Sequence, residues 1–460
     1  MHNLARVLLT RNQSRQSLTA FQDETGSIDY GSLDRRSQQF AGWLRRDGLR
    51  PGDRVSIVLP DSINTVLVFL GTVLAGGIAV MTSPQGRKET IDHKISVVTP
   101  HIVIDESNVV EIMAQSRQHL PDFEVTGSGK DAAFMLWTSG TTGHTKAVMH
   151  SHDNVFAQCL ASSELTLKLS QQDRIYSTAK LSFAYGIIGS LFGTMWAGAQ
   201  AYLDSGLATP GRVKQNIESF NPTVFFSVPV IYSQLVTRLE KINLVKFVSA
   251  GDRLPDALLT RWQAVTGQPI YNCLGTTECL TAFTYNHAGT ASIGKPIPTY
   301  HTRVVDNNGH VLESGQVGQL QVRAPSIGLG YWNDPEWTTR YFTDWVTTGD
   351  SCWQDSKGNL YHMGRIGDVI KIAGHFINPS ELEETLEAYP GVEQSAVVSI
   401  PNEHGVERIE AYVVGTVESR DLRAWMHKHH DRQKCPRKIH VVAELPRTDT
   451  GKIQRYKLRA

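Results

Sequence analysis

A run of nine residues, Thr138-Ser139-Gly140-Thr141-Thr142-Gly143-His144-Thr145-Lys146, gathers hydroxyls, two glycines and a lysine in one place. These are the groups that grip a nucleotide phosphate. Glycines let the backbone approach closely, N–H groups and hydroxyls donate to phosphate oxygens, and the lysine adds a mobile positive charge. The spacing is not that of a Walker loop, because two residues separate Gly140 from Gly143 and Lys146 follows later. A flexible loop is the competing reading of such a composition. The flanks favour an ordered turn: Ala132-Ala133-Phe134-Met135-Leu136-Trp137 reads as a strand and Ala147-Val148-Met149-His150 as its return. His152-Asp153-Asn154 then opens a helical segment through about residue 165.

The elements that must position this loop alternate. Residues 34–49 read as an amphipathic helix, 54–59 as a strand, 64–74 as a helix and 78–81 as a strand. Further strands, 174–177, 223–229 and 245–249, each precede a helical stretch. That order indicates α/β layers around largely parallel sheets. Past residue 291 the texture changes to short strands and turns, which read as a small β-rich subdomain. A hairpin-like segment around Arg365-Ile366-Gly367-Asp368 leads into a helix over 379–388, with Ser380 and Glu383 spaced as a capping box. Strands at 395–400 and 410–416 and a helix at 419–429 complete an α+β unit. The expected architecture is a large N-terminal domain, 1–366, of several subdomains, and a small α+β C-terminal domain, 367–460.

With 460 residues, two domains are the default. Lys+Arg and Asp+Glu balance at 45 each, which leaves no global field to draw nucleic acid or an anionic membrane, so anion binding must be local. The apolar stretch 65–81 reads as a buried helix rather than a membrane span. Arg6, Arg11 and Arg15 near the N-terminus are followed by Asp23 and Glu24, a pattern of neither signal nor transit peptide. Five scattered cysteines without a Cys-x-x-Cys pair suggest reduced thiols and a cytoplasmic setting.

Four further motifs follow the loop in order: Leu274-Gly275-Thr276-Thr277-Glu278, Thr348-Gly349-Asp350, Gly364-Arg365-Ile366-Gly367-Asp368 and Pro446-Arg447-Thr448-Asp449-Thr450-Gly451-Lys452-Ile453. Each alone is weak. Together they resemble the adenylate-forming superfamily of acyl-CoA synthetases, nonribosomal adenylation domains and luciferases, over most of the chain. In that superfamily a carboxylate attacks the ATP α-phosphate to give an acyl-adenylate and pyrophosphate, and a thiol then takes the acyl group. The resemblance assigns Thr138, Ser139, Gly140, Thr141, Thr142, Gly143 and Lys146 to the β- and γ-phosphates, and Thr277, next to Thr276, to the α-phosphate. It assigns Glu278 to Mg²⁺, a hard cation suited to carboxylate oxygen. Asp350 would accept from the ribose hydroxyls beside Arg365, and Gly251 and Asp252 would line the adenine. Lys452 would bridge the attacking carboxylate and the α-phosphate, a task for a point charge on a flexible stem.

Members rotate the small domain between half-reactions, so that one face supplies Lys452 and the other Gly374 near the thiol tunnel. The sequence departs from the family at three points. The hinge position, commonly Asp or Lys, is Gly367; Thr145-Lys146-Ala147 stands where Pro-Lys-Gly is usual; and Leu274 replaces an aromatic that often stacks on adenine.

The acid is read from Leu181-Ser182-Phe183-Ala184-Tyr185-Gly186. Relatives that activate amino acids place an Asp here to pair the ammonium. Ala184 offers no counter-ion, and a buried unpaired cation is costly. Phe183, Ala184, Tyr185 and Gly186, with Ala250, Leu274 and Gly275, resemble the benzoate-CoA ligase branch and form a slot suited to an aryl ring. Tyr185 reads equally as a core tyrosine. The implied reaction is activation of a benzoate-like acid by ATP, followed by transfer to coenzyme A. A carrier-protein phosphopantetheine arm is the alternative acceptor. Arg437 and Lys438 fit either a coenzyme A nucleotide contact or solvated charges. A degenerate, non-catalytic binding protein is the competing class, and retention of Glu278, Asp350, Arg365 and Lys452 argues against it. A metal site built from His427, Lys428, His429 and His430 lacks a matching ligand cluster.

Overall fold

Residues 62–74 show how local chemistry sets the first layer. Ser62 accepts the Thr65 N–H at 3.2 Å and Asp23 accepts the Ile63 N–H at 2.9 Å, so two side chains satisfy the first turn of the helix Ile63–Leu74. Eleven of that helix's twelve residues are buried, which places it between layers rather than on a surface. Phe69 meets Phe134 and Phe192 edge-on, with centroids 5.7 and 5.6 Å away. The computed structural model describes residues 3–118, 125–127, 129–138, 145–238, 246–286, 290, 292–372, 375–401, 407–432, 434–447 and 453–459. Ser139 to His144, Gly374 and Lys452 lie outside the described residues.

By packing, the chain divides into two units, Met1–His301 with Val322–Val346, and Thr302–Gln321 with Thr347–Ala460. The first contains two sheets. One runs in the order Gly330–Tyr331, Lys146–Ser151, Ala132–Thr138, Ile78–Met81, Arg54–Val58, Ile102–Asp105. Its last four strands are parallel, while Lys146–Ser151 is antiparallel to both its neighbours. The other places Thr281–Asn286 antiparallel to Ile270–Thr276, and Ile270–Thr276, Lys246–Ser249, Val224–Ser227 and Arg174–Ser177 in parallel register. Its core is aromatic: Trp262 packs edge-on against Tyr232 and Phe247 at 4.8 and 5.0 Å. The α/β layering with largely parallel sheets is therefore as the alternation implied.

Three local expectations shift. The helix read over 34–49 spans Tyr30–Arg46, because Asp29 accepts the Ser32 N–H at 2.7 Å and starts it earlier. The helix after His152 is capped by Ser151 in a capping box with Asn154, and from Cys159 to Thr166 it winds as a π-helix. The Ser380–Glu383 capping box does not form. Asn378 caps the helix Pro379–Glu387 instead, accepting the Ser380 N–H at 3.0 Å. Glu383 turns toward the neighbouring sheet, where its Oε1 accepts the Val397 N–H at 2.7 Å and its two oxygens receive Arg455 at 2.8 Å. A buried carboxylate gains more from a backbone N–H and a bidentate guanidinium than from a cap on an exposed turn.

The second unit holds a four-stranded sheet, His301–Val305, Gly318–Arg323, Val346–Gln354 and Leu360–Arg365, and a three-stranded sheet, Val392–Pro401, Glu407–Gly415 and Lys438–Val441. The helices Pro379–Glu387 and Ser419–His429 cover the latter through Leu382, Leu386, Leu422 and Met426. A two-stranded antiparallel pair, Ile370–Ile372 with His375–Ile377, lies a few residues beyond the hairpin-like segment read around residues 365–368, where Arg365 instead ends the strand Leu360–Arg365. Gly367 sits in a turn where a side-chain Cβ would meet open space, so this backbone does not itself demand glycine.

Candidate active site

In open α/β sheets ligands gather outside the carboxyl ends of the strands. Most of the predicted residues of the first unit stand there. Ser249 ends one strand, and Ala250, Gly251 and Asp252 follow it; Gly251 adopts φ +89°, a conformation suited to glycine. The strand Ile270–Thr276 carries Leu274, Gly275 and Thr276, and leads into a 3₁₀ turn, Thr277–Cys279, capped by Thr276 Oγ1 on the Cys279 N–H at 3.2 Å. Leu280 and Thr281 then take φ of +59° and +117° to reverse the chain. A β-branched residue at such a φ is strained and must be held by its surroundings. A Cβ on Gly275 would lie 2.2 Å from the Thr281 backbone, so glycine is required opposite the reversal.

A buried polar hub holds this turn. Ser326 Oγ donates to the Cys279 carbonyl at 2.7 Å, and the Tyr300 hydroxyl lies 2.7 Å from Ser326 Oγ and 2.5 Å from Gln158 Oε1. Gln158 Nε2 in turn donates to the Ala282 carbonyl at 3.0 Å. The Glu278 carbonyl accepts the Gly328 N–H at 2.8 Å. Below it, His150 is buried and stacked on Phe134 at 5.1 Å; burial holds it neutral, pushing its pKa down to about 3.

Glu278 itself is buried, and its Oε1 accepts the Tyr331 hydroxyl at 2.9 Å. Burial and the Glu278 charge both push the Tyr331 phenol well above its ordinary pKa, so the proton of this bond stays on tyrosine. Tyr331 lies opposite Val148 on the strand that begins with Lys146. Lys146 Nζ is 3.2 Å from Asp334 Oδ2 and 3.6 Å above the Trp337 ring. The structure thus brings Lys146, Thr277 and Glu278 into one neighbourhood through Tyr331, Asp334 and Trp337. Sequence reasoning named none of those three. Their signal is the aromatic turn Gly330-Tyr331-Trp332-Asn333-Asp334-Pro335 before a helix, which does not reveal its pairing partner.

The segment read for the acid also meets these strand ends. Phe183 precedes a short helix, Ala184–Gly186, in which Ala184 is buried. A Cβ on Gly186 would lie 2.1 Å from the Lys180 carbonyl, so only glycine permits the close approach. The Tyr185 hydroxyl donates to the Val248 carbonyl at 2.8 Å and lies 3.3 Å from that of Ser227, and burial raises its pKa far above the usual value. Its hydroxyl is committed to the backbone, and its ring edge meets Phe226 at 5.8 Å.

The start of the segment is anchored by Asp61, whose Oδ1 accepts the Leu181 N–H at 2.9 Å. Burial pushes Asp61 up to about 7, against the opposing effects of Lys180 and the Leu181 N–H and with further repulsion from Asp204 and Glu24. The folded state therefore holds this proton more tightly than the unfolded chain, whose Asp titrates near pH ~4. Stability contributed by the protonated form is lost as pH rises through that window. Asp61→Asn keeps the acceptor for Leu181 but cannot ionise. Thermal unfolding should give matching midpoints for variant and wild type below about pH 4 and an advantage to the variant that grows from about pH 4 to about pH 7 and then levels off; a gap that does not change with pH would show that Asp61 ionises normally.

In the second unit, Asp350 is buried on the strand Val346–Gln354. Its Oδ1 is 3.0 Å from His362 Nε2 and 3.5 Å from Arg365 Nε, while Oδ2 is buried without a hydrogen-bond partner among the described residues. Arg365 also donates to the Thr348 carbonyl at 3.0 Å. Burial would raise the Asp350 pKa, but Arg365, His362 and the Thr348 hydroxyl together hold it below the usual carboxylate range. A buried acceptor oxygen with no protein partner is the feature that a ribose hydroxyl would satisfy.

Sequence and structure comparisons place the chain in a family. Residues 9–332 match the AMP-binding enzyme family, and residues 381–452 match its C-terminal domain. The chain belongs to the AMP-binding enzyme family. It is 33% identical over 479 residues to the 3-hydroxybenzoate–CoA ligase of Aromatoleum sp. (strain CIB), covering 94% of this chain and 91% of that protein. The crystal structure of a benzoate CoA ligase from Burkholderia xenovorans LB400 matches with a TM-score of 0.90 at 28% identity, over 100% of both chains. The anthranilate CoA ligase AuaEII, solved in complex with anthranoyl-AMP, matches with a TM-score of 0.92 at 27% identity, over 100% of this chain and 97% of that one. Within the family, the resemblance to the benzoate-CoA ligase branch holds. Among the described residues no helix is long and apolar enough to cross a membrane, and all five cysteines are unpaired and buried.

Proposed function

We propose that this AMP-binding enzyme activates a benzoate-like aromatic acid with ATP, forming an aryl-adenylate and pyrophosphate, and then transfers the aryl group to coenzyme A. The observation that supports this reading most is end-to-end similarity to ligases whose names give benzoate, hydroxybenzoate or anthranilate as the acid and CoA as the acceptor. The absence of an acidic side chain from residues 181–186 fits an acid without an ammonium group.

Two anions must meet in the first step, so the chain's task is to neutralise charge where it develops. In this reading the 138–146 loop, with Thr138 and Lys146 at its described ends, holds the β- and γ-phosphates, and Thr276 and Thr277 hold the α-phosphate. Glu278 fits Mg²⁺: it is a hard oxygen donor with one oxygen hydrogen-bonded to Tyr331, and magnesium is commonly held by one or two carboxylates plus substrate phosphates. Bound there, the ion would supply positive charge to the phosphates. Asp350 and Arg365 hold the ribose, Gly251 and Asp252 line the adenine, and Lys452 bridges carboxylate and α-phosphate. Phe183, Ala184, Tyr185, Gly186, Ala250, Leu274 and Gly275 enclose the ring. Gly374 flanks the thiol path. We take residues 367–460 as the body that rotates between steps, with Gly367 as the pivot, and a cytoplasmic setting as the source of ATP and coenzyme A.

Mass spectrometry of products from ATP, Mg²⁺ and a panel of benzoic, phenylacetic, cinnamic and short fatty acids tests the proposal. An aryl-AMP without coenzyme A and an aryl-CoA with it are expected from a benzoic acid. Adenylate that never passes to coenzyme A would point to a phosphopantetheine acceptor, and no adenylate from any acid would overturn the reading.

A further inference from the structure

Tyr331 touches both ends of the phosphate machinery, yet the reaction as derived gives it no task. Its hydroxyl donates to Glu278 Oε1 at 2.9 Å, and Lys146 Nζ lies 5.1 Å from its ring centroid. The residue is rigidly held. Leu329 and Trp332 donate their N–H groups to Met149 and Ala147 at 2.8 Å each, tying the segment to the strand that begins with Lys146. The Tyr331 N–H donates to Thr338 Oγ1 at 2.9 Å, and Thr338 Oγ1 donates to the Asp334 carbonyl at 2.7 Å. Gly330, with φ +132°, is pressed against Thr338 so closely that a Cβ would lie 2.4 Å from its methyl. Phe342 meets the Tyr331 ring edge-on at 5.1 Å. A carboxylate on a 3₁₀ turn, next to the strained Thr281, is thereby paired with a phenol that has no freedom to follow it.

We infer that Tyr331 is a positioning residue for Glu278: its hydroxyl commits one carboxylate oxygen to the protein and presents the other to the divalent cation that accompanies ATP. The inference rests on the proposed function, in which Glu278 is the metal ligand. Groups that orient a metal ligand from behind set its direction and basicity, and their loss weakens metal affinity by about 10–100-fold. The same segment carries Asp334 and Trp337, which hold Lys146, so the spacing between the phosphate lysine and the metal carboxylate is fixed by one short stretch of backbone.

Tyr331→Phe keeps the ring and its packing and removes only the hydroxyl. Calorimetric titration with ATP plus Mn²⁺ or Mg²⁺, and with ATP in excess EDTA, separates metal-dependent from metal-free binding. The variant is expected to bind metal–ATP about tenfold or more weakly and metal-free ATP as the wild type does. The metal concentration for half-maximal adenylation should rise by the same factor, and thioester formation from supplied aryl-adenylate should be unchanged. An equal loss with and without metal would make Tyr331 a packing residue and overturn the inference. Glu278→Gln is the control. If that variant keeps metal-dependent tightening of ATP, Glu278 is not the ligand and the functional reading of it fails together with the inference. If Glu278→Gln abolishes the tightening and Tyr331→Phe leaves it intact, the inference alone fails.

Discussion

Lys452→Ala is expected to slow formation of the aryl-adenylate by about 10²–10³-fold while leaving transfer from a supplied aryl-adenylate to coenzyme A within a few-fold of wild type. The split follows from the charge each step must handle. In the first, a carboxylate approaches a phosphate, and a cation between them is worth most where negative charge accumulates. In the second, a thiol gives up its proton and attacks the acyl carbon of the aryl-adenylate, and the bond to phosphate breaks so that AMP leaves. A lysine that served only to stabilise the small domain would slow both steps. The described residues that flank it are anchored: Arg447 and Ile453 pair as an antiparallel bridge, Gln454 donates its N–H to the Pro446 carbonyl at 2.8 Å, and Arg455 grips Glu383. Measuring each half-reaction alone, by pyrophosphate release and by thioester formation, checks the prediction. Normal adenylation by Lys452→Ala would remove the lysine from the mechanism.

The layering and the strand ends were legible because they depend on local chemistry. Short runs with β-prone residues at their centre, such as 174–177 with Ile175 and Tyr176, need only their own side chains to suggest a strand, and that run is a strand in full. Glu278 and Asp350 were legible only through the resemblance that five motifs in order carry, since a Gly-Thr-Thr-Glu or a Thr-Gly-Asp alone reads as an ordinary turn. What stayed hidden was pairing across distance. Nothing near Tyr331 in sequence shows that its strand lies against Met149 and Val148, and therefore beside Lys146. Glu383 shows the same limit from the other side. Its spacing from Ser380 suggested a local cap, but a half-buried arginine and a strand N–H, supplied by remote segments, compete for the same carboxylate and win. Asp61 is the third case, an acidic residue in an unremarkable Pro-Asp-Ser turn whose function as the anchor of Leu181 comes only from tertiary contact.

His362 belongs with these hidden partners, and it sharpens what Asp350 should do. Asp350→Asn should raise the KM for ATP about 10–100-fold, since a hydrogen bond to a charged group is worth about 1.5–3 kcal/mol, with a smaller effect on the KM for the acid. The side chain keeps its shape in this variant but loses the charge that faces Arg365 and the second strong acceptor. Because Arg365 and His362 already occupy Oδ1, the ligand-facing work falls on Oδ2, the buried oxygen without a partner among the described residues. That assignment has a specific consequence for nucleotides lacking one ribose hydroxyl. The wild type should discriminate against 2′-deoxy-ATP or 3′-deoxy-ATP, whichever lacks the hydroxyl that meets Oδ2, and Asp350→Asn should lose much of that discrimination, as a double cycle of variant and ligand would report. Asp350 is held ionised by its neighbours, so the discrimination should persist unchanged from neutral pH down to the ordinary carboxylate range and fade only below it. Equal losses for ATP and both deoxy analogues would show instead that Asp350 serves to brace Arg365 and the strand Leu360–Arg365, with the ribose held elsewhere.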